Sequence, residues 1–190
     1  MAHTTKLISL DCGETETGAV VLTTSGIREG LNMANDQVID FILVEKERCY
    51  DFTLLIEDVR PYNMRITDGI IHTIKFLGQL EWRLTEMRIP FTLIPRWQVK
   101  RWIFEQYKPV VLPEIQKKID YSNKQRTAKG IALSRKQTPS FVYVDDRIVQ
   151  KAMRLHWQIP KAKVGHKAMY NLKDHSWQAL ALASFYLTTS

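Results

Sequence analysis

Three places in this chain carry side chains that could do chemistry. Asp11 closes a short apolar run, KLISLD, just ahead of Gly13. Glu57 lies within the most apolar strand-like stretch, LLIEDV at 54–59. An acid in such a stretch is costly unless it is paired or bound to a metal. Near the C-terminus Asp174, His175 and Gln178 stand at the head of the apolar run QALALASFYL. Taken singly, Asp11 or Glu57 is equally well explained as a strand-end residue paired with Lys or Arg. Taken together, two carboxylates toward one end of two central strands offer adjacent anionic oxygens, the donor set that Mg²⁺ and Mn²⁺ prefer.

Positions i, i+3 and i+4 of a helix share a face. Asp174, His175 and Gln178 therefore present one surface at a helix start, and Ala179, Ala181 and Ala183 let that helix lie close to a sheet. The plainer reading makes Asp174 an N-cap, favoured there by the helix dipole, and His175 a polar surface residue.

The elements that must position these residues follow from pattern. Residues 6–11, 18–23 and 27–31 read as three short strands in an antiparallel meander, with Ser25-Gly26 as a turn. A helix is expected over 36–46. Residues 51–59 form a nearly continuous apolar run, as in a central strand covered on both faces. The spacing of Ile70, Ile74, Leu77, Leu84 and Met87 predicts a long helix over 67–87. A short strand at 91–94, a helix at 96–106, a helix at 145–157 capped by Asp145 or Asp146, and a last helix from 174 complete the reading. Strands first, then strands alternating with helices, indicate an α/β layer fold with a mixed sheet.

The 190 residues fit one domain, 1–190, with a sizeable core, and the formal net charge is +7. A basic balance favours a polyanionic partner, most often nucleic acid. Two cysteines, Cys12 and Cys49, give neither a disulfide framework nor a four-ligand zinc box. No signal peptide or membrane-spanning run is read, so a soluble cytoplasmic protein with no membrane partner is expected. The stretch 115–139 carries Lys117, Lys118, Lys124, Arg126, Lys129, Arg135 and Lys136 against a lone Asp120 and has few large apolar residues. It reads as a mobile basic arm or loop within the domain.

Three segments, in order, resemble the RuvC family of Holliday-junction resolvases, within the retroviral-integrase/RNase H-like nuclease superfamily, its small phage-encoded members most of all. LDCGETETGAVVL at 10–22 is similar to the family's D-x-G-x-x-x-T-G hairpin, LLIEDV to its second-acid strand, and DHSWQALALA at 174–183 to its C-terminal helix. The resemblance implies a three-layer RNase H-like fold, a mixed central sheet flanked by helices, here with a basic insertion. It implies hydrolysis of DNA phosphodiesters with two metal ions, Mg²⁺ or Mn²⁺. Asp11 would bridge the metals, Glu57 would hold one, and His175 would occupy the third site. Where the family usually has Asp, this chain has Gln178, which lowers the ligand charge by one; Asp174, one turn earlier, could restore it. Imidazole and one fewer carboxylate lean the set toward Mn²⁺.

The expected partner is a four-way DNA junction, cut by a homodimer because the junction needs two symmetric nicks. In a phage-encoded protein the site of action would be the host cytoplasm or nucleoid. Phosphate contacts fall to the basic stretch and to Arg60, Tyr62 and Arg65, which follow the Glu57 strand; Arg96, Lys100, Arg101 and Lys108 extend the supply. Trp102 is read as core, and Trp97 as core or base-stacking. Phe76, Trp82 and Arg83 mark the helix face that a dimer would use. The competing readings are an RNase H-like module that binds branched DNA without cutting it, and a related nuclease acting on flaps, forks or RNA.

Overall fold

Strand β1 (Lys6–Cys12) is buried along its whole length, which requires cover on both sheet faces. Side chains alternate across a strand. Ile8, Leu10 and Cys12 join a core cluster with Val38, Ile39 and Ile42 and with Leu77, Leu80 and Leu84. On the other face, Ser9 Oγ donates a hydrogen bond to the Ala179 carbonyl at 2.6 Å. The three layers are thus α1 (Val38–Arg48) and α2 (Asp68–Glu86), the sheet, and α6 (Asp174–Thr189). The computed structural model describes residues 6–49, 51–60, 66–131, 138–160 and 169–189.

The sheet has the order β3-β2-β1-β4-β5. β2 (Glu16–Thr23) and β3 (Gly26–Ala34) complete the expected antiparallel meander with β1. β4 (Phe52–Asp58) runs parallel to β1, and β5 (Thr92–Pro95) runs parallel to β4. β1, β4 and β5 therefore finish at the same sheet end. Thr67 caps α2 by accepting a hydrogen bond from the Ile70 amide. Leu77, Leu80 and Leu84 of that helix are buried, Phe76 packs against the same core, and Trp82 is 60% exposed. Met87, read as part of the apolar stripe, is exposed past the helix end.

The chain divides into two compact units, Met1–Arg96 with Pro160–Ser190, and Trp97–Ile159. The second unit contains α3 (Arg96–Gln106) from its second residue, then α4 (Lys108–Ala128) and α5 (Asp146–His156). Asp145 caps α5 by accepting a hydrogen bond from the Ile148 amide at 3.1 Å. Trp102 is buried in an edge-to-face cluster with Tyr107 and His156, while Trp97 is 40% exposed.

The basic stretch 115–139 is not a loop as far as Ala128: it is the larger part of α4. Val111, Ile115 and Ile119 recur every fourth residue and are all buried, a seam narrow enough to look polar in composition yet sufficient to hold a helix of Lys, Gln and Arg residues. Residues 132–137, including Arg135 and Lys136, lie outside the described residues. No helix among the described residues is long and apolar enough to cross a membrane.

A buried charge cluster anchors the start of β1. Lys6, 3% exposed, donates through Nζ to the Glu45 backbone carbonyl at 2.5 Å and lies 3.1 Å from Glu45 Oε2. Arg28 and Arg48 each reach Glu45 Oε1 at 2.8 Å. Burial alone would raise the Glu45 carboxyl, but the hydrogen bonds from Arg28, Lys6 and Arg48 bring it down to about 2 from the ordinary 4.5. A depressed carboxyl stabilises the fold above its unfolded pKa and loses that contribution as pH falls through its folded one. Glu45→Gln is therefore expected to cost about 3 kcal/mol at pH 7, with the gap to the parent narrowing between about pH 4.5 and about 2. Urea unfolding across that range checks this; an equal gap at every pH would contradict it.

Candidate active site

The last registered pair of the β1–β4 ladder is Leu10 with Ile56. The next residues, Asp11 and Glu57, follow on the two strands in step and so share a face. That face is the one carrying Ser9, beneath α6. Both acids are buried, Asp11 at 0% and Glu57 at 2% exposure.

The first hairpin explains why Asp11 sits in a closed corner. The Gly13 amide donates to the Glu16 carbonyl at 2.9 Å, which closes the turn. Asn35 braces it: Nδ2 donates to the carbonyls of Gly13 and Glu14, each at 3.2 Å, and Oδ1 accepts from Thr17 Oγ1 at 2.8 Å. Gly18 pairs with Asp11 on one side and Asn32 on the other. The start of α6 lies directly on this row. A Cβ at Gly18 would come within 2.2 Å of the His175 carbonyl carbon and 2.4 Å of the Ser176 nitrogen. Asn32 Oδ1 accepts from the Ser176 amide at 3.2 Å. The glycine, the asparagine and the strand register together hold His175 against Asp11, where Nδ1 lies 2.7 Å from Oδ2.

The other oxygen of Asp11 faces Arg96. Arg96 Nη2 donates to Asp11 Oδ1 at 2.9 Å and lies 2.5 Å from Glu57 Oε2, while Nε donates to the same Glu57 oxygen at 2.7 Å. One guanidinium thus bridges the two carboxylates. Burial by itself would raise Asp11, but hydrogen bonds from His175 and Glu57 and the Arg96 charge outweigh it and hold the carboxyl down to about 2. Glu57 goes the other way: burial and the neighbouring Asp11 charge push it up against the pull of Arg96. The Glu57 charge raises Arg96 further above the ordinary arginine range. Cys12, next to Asp11, is pushed up to about 12 by burial and the Asp11 charge, so its thiol stays protonated.

Gln178 is buried, one turn along α6 from His175. Asp174 is exposed at the head of that helix with φ 33°, in the left-handed region. Arg60 is exposed beyond β4 with Nε 2.7 Å from Asp58 Oδ2. Tyr62 and Arg65 lie outside the described residues. Lys117, Lys118, Lys124 and Arg126 stand on α4 and Lys129 just after it, all in the second unit. Lys117 pairs with Glu114 at 3.5 Å, and Lys118 with Asp145. The structure therefore brings Asp11, Glu57 and His175 together.

Arg96 is the site residue that the sequence reading placed elsewhere, among the grip residues. The signal for it is positional: it follows Pro95, which is paired with Asp58, so the ends of three neighbouring parallel strands carry Asp11, Glu57-Asp58 and, just past the third, Arg96.

No protein-family model and no curated protein matches the chain. Solved structures do, two of RuvC among them. The Thermus thermophilus RuvC structure aligns with a TM-score of 0.55 at 15% identity, covering 96% of this chain and 95% of that one. T. thermophilus RuvC in complex with Holliday junction substrate aligns with a TM-score of 0.54 at 13% identity, covering 98% and 96%. The likeness spans nearly the whole chain and is one of fold: a RuvC-like, RNase H-like α/β architecture with a mixed five-stranded sheet between helices.

Two buried carboxylate side chains on one sheet face with an imidazole beside them fit a hard divalent cation in donor chemistry. As they stand, Arg96 bridges the carboxylates, and among the described residues no group of three or more His, Cys, Asp and Glu side chains is arranged to hold a metal.

The close approach of α6 to β2 can be tested directly. Gly18→Ala forces backbone apart and is expected to destabilise by about 1–3 kcal/mol. Gly78→Ala, in α2 where an added Cβ meets nothing within 4 Å, should instead stabilise by up to about 1 kcal/mol. Thermal unfolding of both variants decides this; a Gly18→Ala protein as stable as the parent would contradict the packing described.

Proposed function

We propose that this chain is a metal-dependent, structure-selective DNA endonuclease that resolves four-way junctions by paired phosphodiester hydrolysis. The observation that carries the reading is the Asp11–Glu57 pair: two carboxylates, nearly inaccessible to water, at the ends of adjacent parallel strands under a helix that supplies His175. A structural cluster would be neutralised by its own cations, as Glu45 is by Lys6, Arg28 and Arg48. Among the described residues the Asp11–Glu57 pair meets one permanent cation, Arg96, for two acids, and so retains capacity for positive charge.

Asp11 and Glu57 would hold the Mg²⁺ or Mn²⁺ ions, two being expected, with His175 as a further ligand or as the group that orients the attacking water. Bound there, the metal would activate that water and stabilise the leaving oxygen. Gln178, buried on α6, would contribute an amide oxygen, and Asp174, exposed at the helix head, is the candidate for the charge that Gln178 lacks. Lys117, Lys118, Lys124, Arg126 and Lys129, with Arg60, are read as phosphate contacts; Tyr62, Arg65, Arg135 and Lys136 belong to the same proposal on sequence grounds. Two such chains, paired as a homodimer, would make the two symmetric nicks. That one of the similar structures is T. thermophilus RuvC in complex with Holliday junction substrate supports this choice of DNA.

A neutral Gln178 where the family usually has Asp, together with an acid pair already bridged by Arg96, favours one alternative, a module that binds branched DNA without cutting it. The test is a labelled four-way junction and a matched linear duplex, each with Mn²⁺, Mg²⁺ or EDTA. Paired symmetric nicks in the junction are expected, faster with Mn²⁺, absent with EDTA and lowered by at least about 10³-fold in Asp11→Asn. Junction binding without cleavage under either metal would favour the binding module, and equal cutting of linear duplex, flaps or RNA hybrids would remove the junction selectivity.

A further inference from the structure

Arg96 joins the two candidate ligands in a way that a purely structural arginine need not. Its guanidinium touches both carboxylates, at 2.9 Å from Asp11 and 2.5 Å from Glu57. Those acids are fixed: their side chains are 1% and 3% exposed, and their strands are paired on both sides. The Arg96 side chain is 36% exposed, on a backbone tied down by the pairing of Pro95 with Asp58. The acids are fixed by the strand pairing, whereas the partly exposed Arg96 side chain is the member of the cluster that borders water. A guanidinium and a dication competing for the same carboxylate oxygens repel each other strongly where the dielectric constant is low.

We infer that Arg96 is a displaceable internal counter-ion: it holds the Asp11–Glu57 pair in the cation-free protein and must release both acids when a divalent cation binds there. This rests on the reading of Asp11 and Glu57 as cation ligands. In consequence, cation affinity at the site is set by an exchange. Apparent affinity is lowered by whatever fraction of molecules has the guanidinium in place. The clamp also gives two acids side by side within a sheet a shared cationic partner when no metal is bound.

The test pairs a binding measurement with a readout on the unaltered protein. Mn²⁺ binding, followed by the free-Mn²⁺ electron paramagnetic resonance signal, is compared in the parent, Arg96→Ala, Asp11→Asn and the Asp11→Asn/Arg96→Ala double variant. Arg96→Ala is expected to bind Mn²⁺ at least about tenfold more tightly, with the gain lost in the double variant. Because Arg96→Ala leaves two buried acids uncompensated and can fail to fold, the parent labelled with ¹⁵N-arginine is titrated with Mg²⁺ in parallel. The Arg96 Nε–H resonance, assigned by its loss in Arg96→Lys, should shift in step with binding. If Asp11-dependent binding occurs while that resonance stays put and Arg96→Ala binds no tighter, the exchange is wrong and the metal site stands. If neither the parent nor Arg96→Ala binds the cation in an Asp11-dependent way, the metal-site reading itself falls, and the exchange with it.

Discussion

Asp11 and Glu57 lie side by side in the interior of a protein, and that is the constraint around which the first unit is arranged. Two carboxylates removed from water repel each other and lose their hydration, a cost recovered only through close cationic and hydrogen-bonding partners. Arg96 supplies the cation from the end of β5, and His175 supplies a ring nitrogen from the start of α6. Each donor arrives from an element that must already be docked on the sheet. β5 has to pair with β4, and α6 has to settle onto Gly18, before either side chain can reach the acids. Strand pairing, helix docking and site electrostatics are coupled.

β1 carries a buried ionic group at each end, and the contrast is informative. At its start Lys6 and Glu45 form a cluster in which one acid meets three cations. Five residues later, roughly 17 Å along the strand, the balance reverses and two acids share one arginine. The first arrangement locks α1 onto the sheet edge of the core. The second holds an acid in reserve, two carboxyl groups to one permanent cation among the described residues, beneath a helix start and beside an arginine whose side chain is partly exposed. Fold likeness alone does not assign chemistry; the reading of this protein as a nuclease depends on that reserve.

Much of this was legible from residues. The alternation and turn signals of the first three strands were clear because neighbouring segments pair with each other, and the apolar run around Glu57 marked a central strand before its partners were known. The hairpin motif was legible too, although its physical content, Gly13 and Asn35 closing the turn and Gly18 admitting α6, emerges only when α6 is in place. The helix of 108–128 was hidden because three apolar residues in a polar stretch suffice when they fall on one row. Arg96 was hidden for a different reason. Its partners are 39 and 85 residues away in sequence, and only the pairing of β5 with β4 shows that it ends beside Asp11. Local pattern identified the acids; long-range strand order identified what neutralises them.

The account comes down to what occupies the gap between Asp11 and Glu57. A crystal structure of the protein grown with Mn²⁺, with the metal located by its anomalous scattering, tests this most directly. The account predicts an anomalous peak coordinated by both carboxylates, with the Arg96 guanidinium turned away from them and His175 beside the peak. Crystals that hold Mn²⁺ elsewhere, with Arg96 still bridging Asp11 and Glu57, would contradict it.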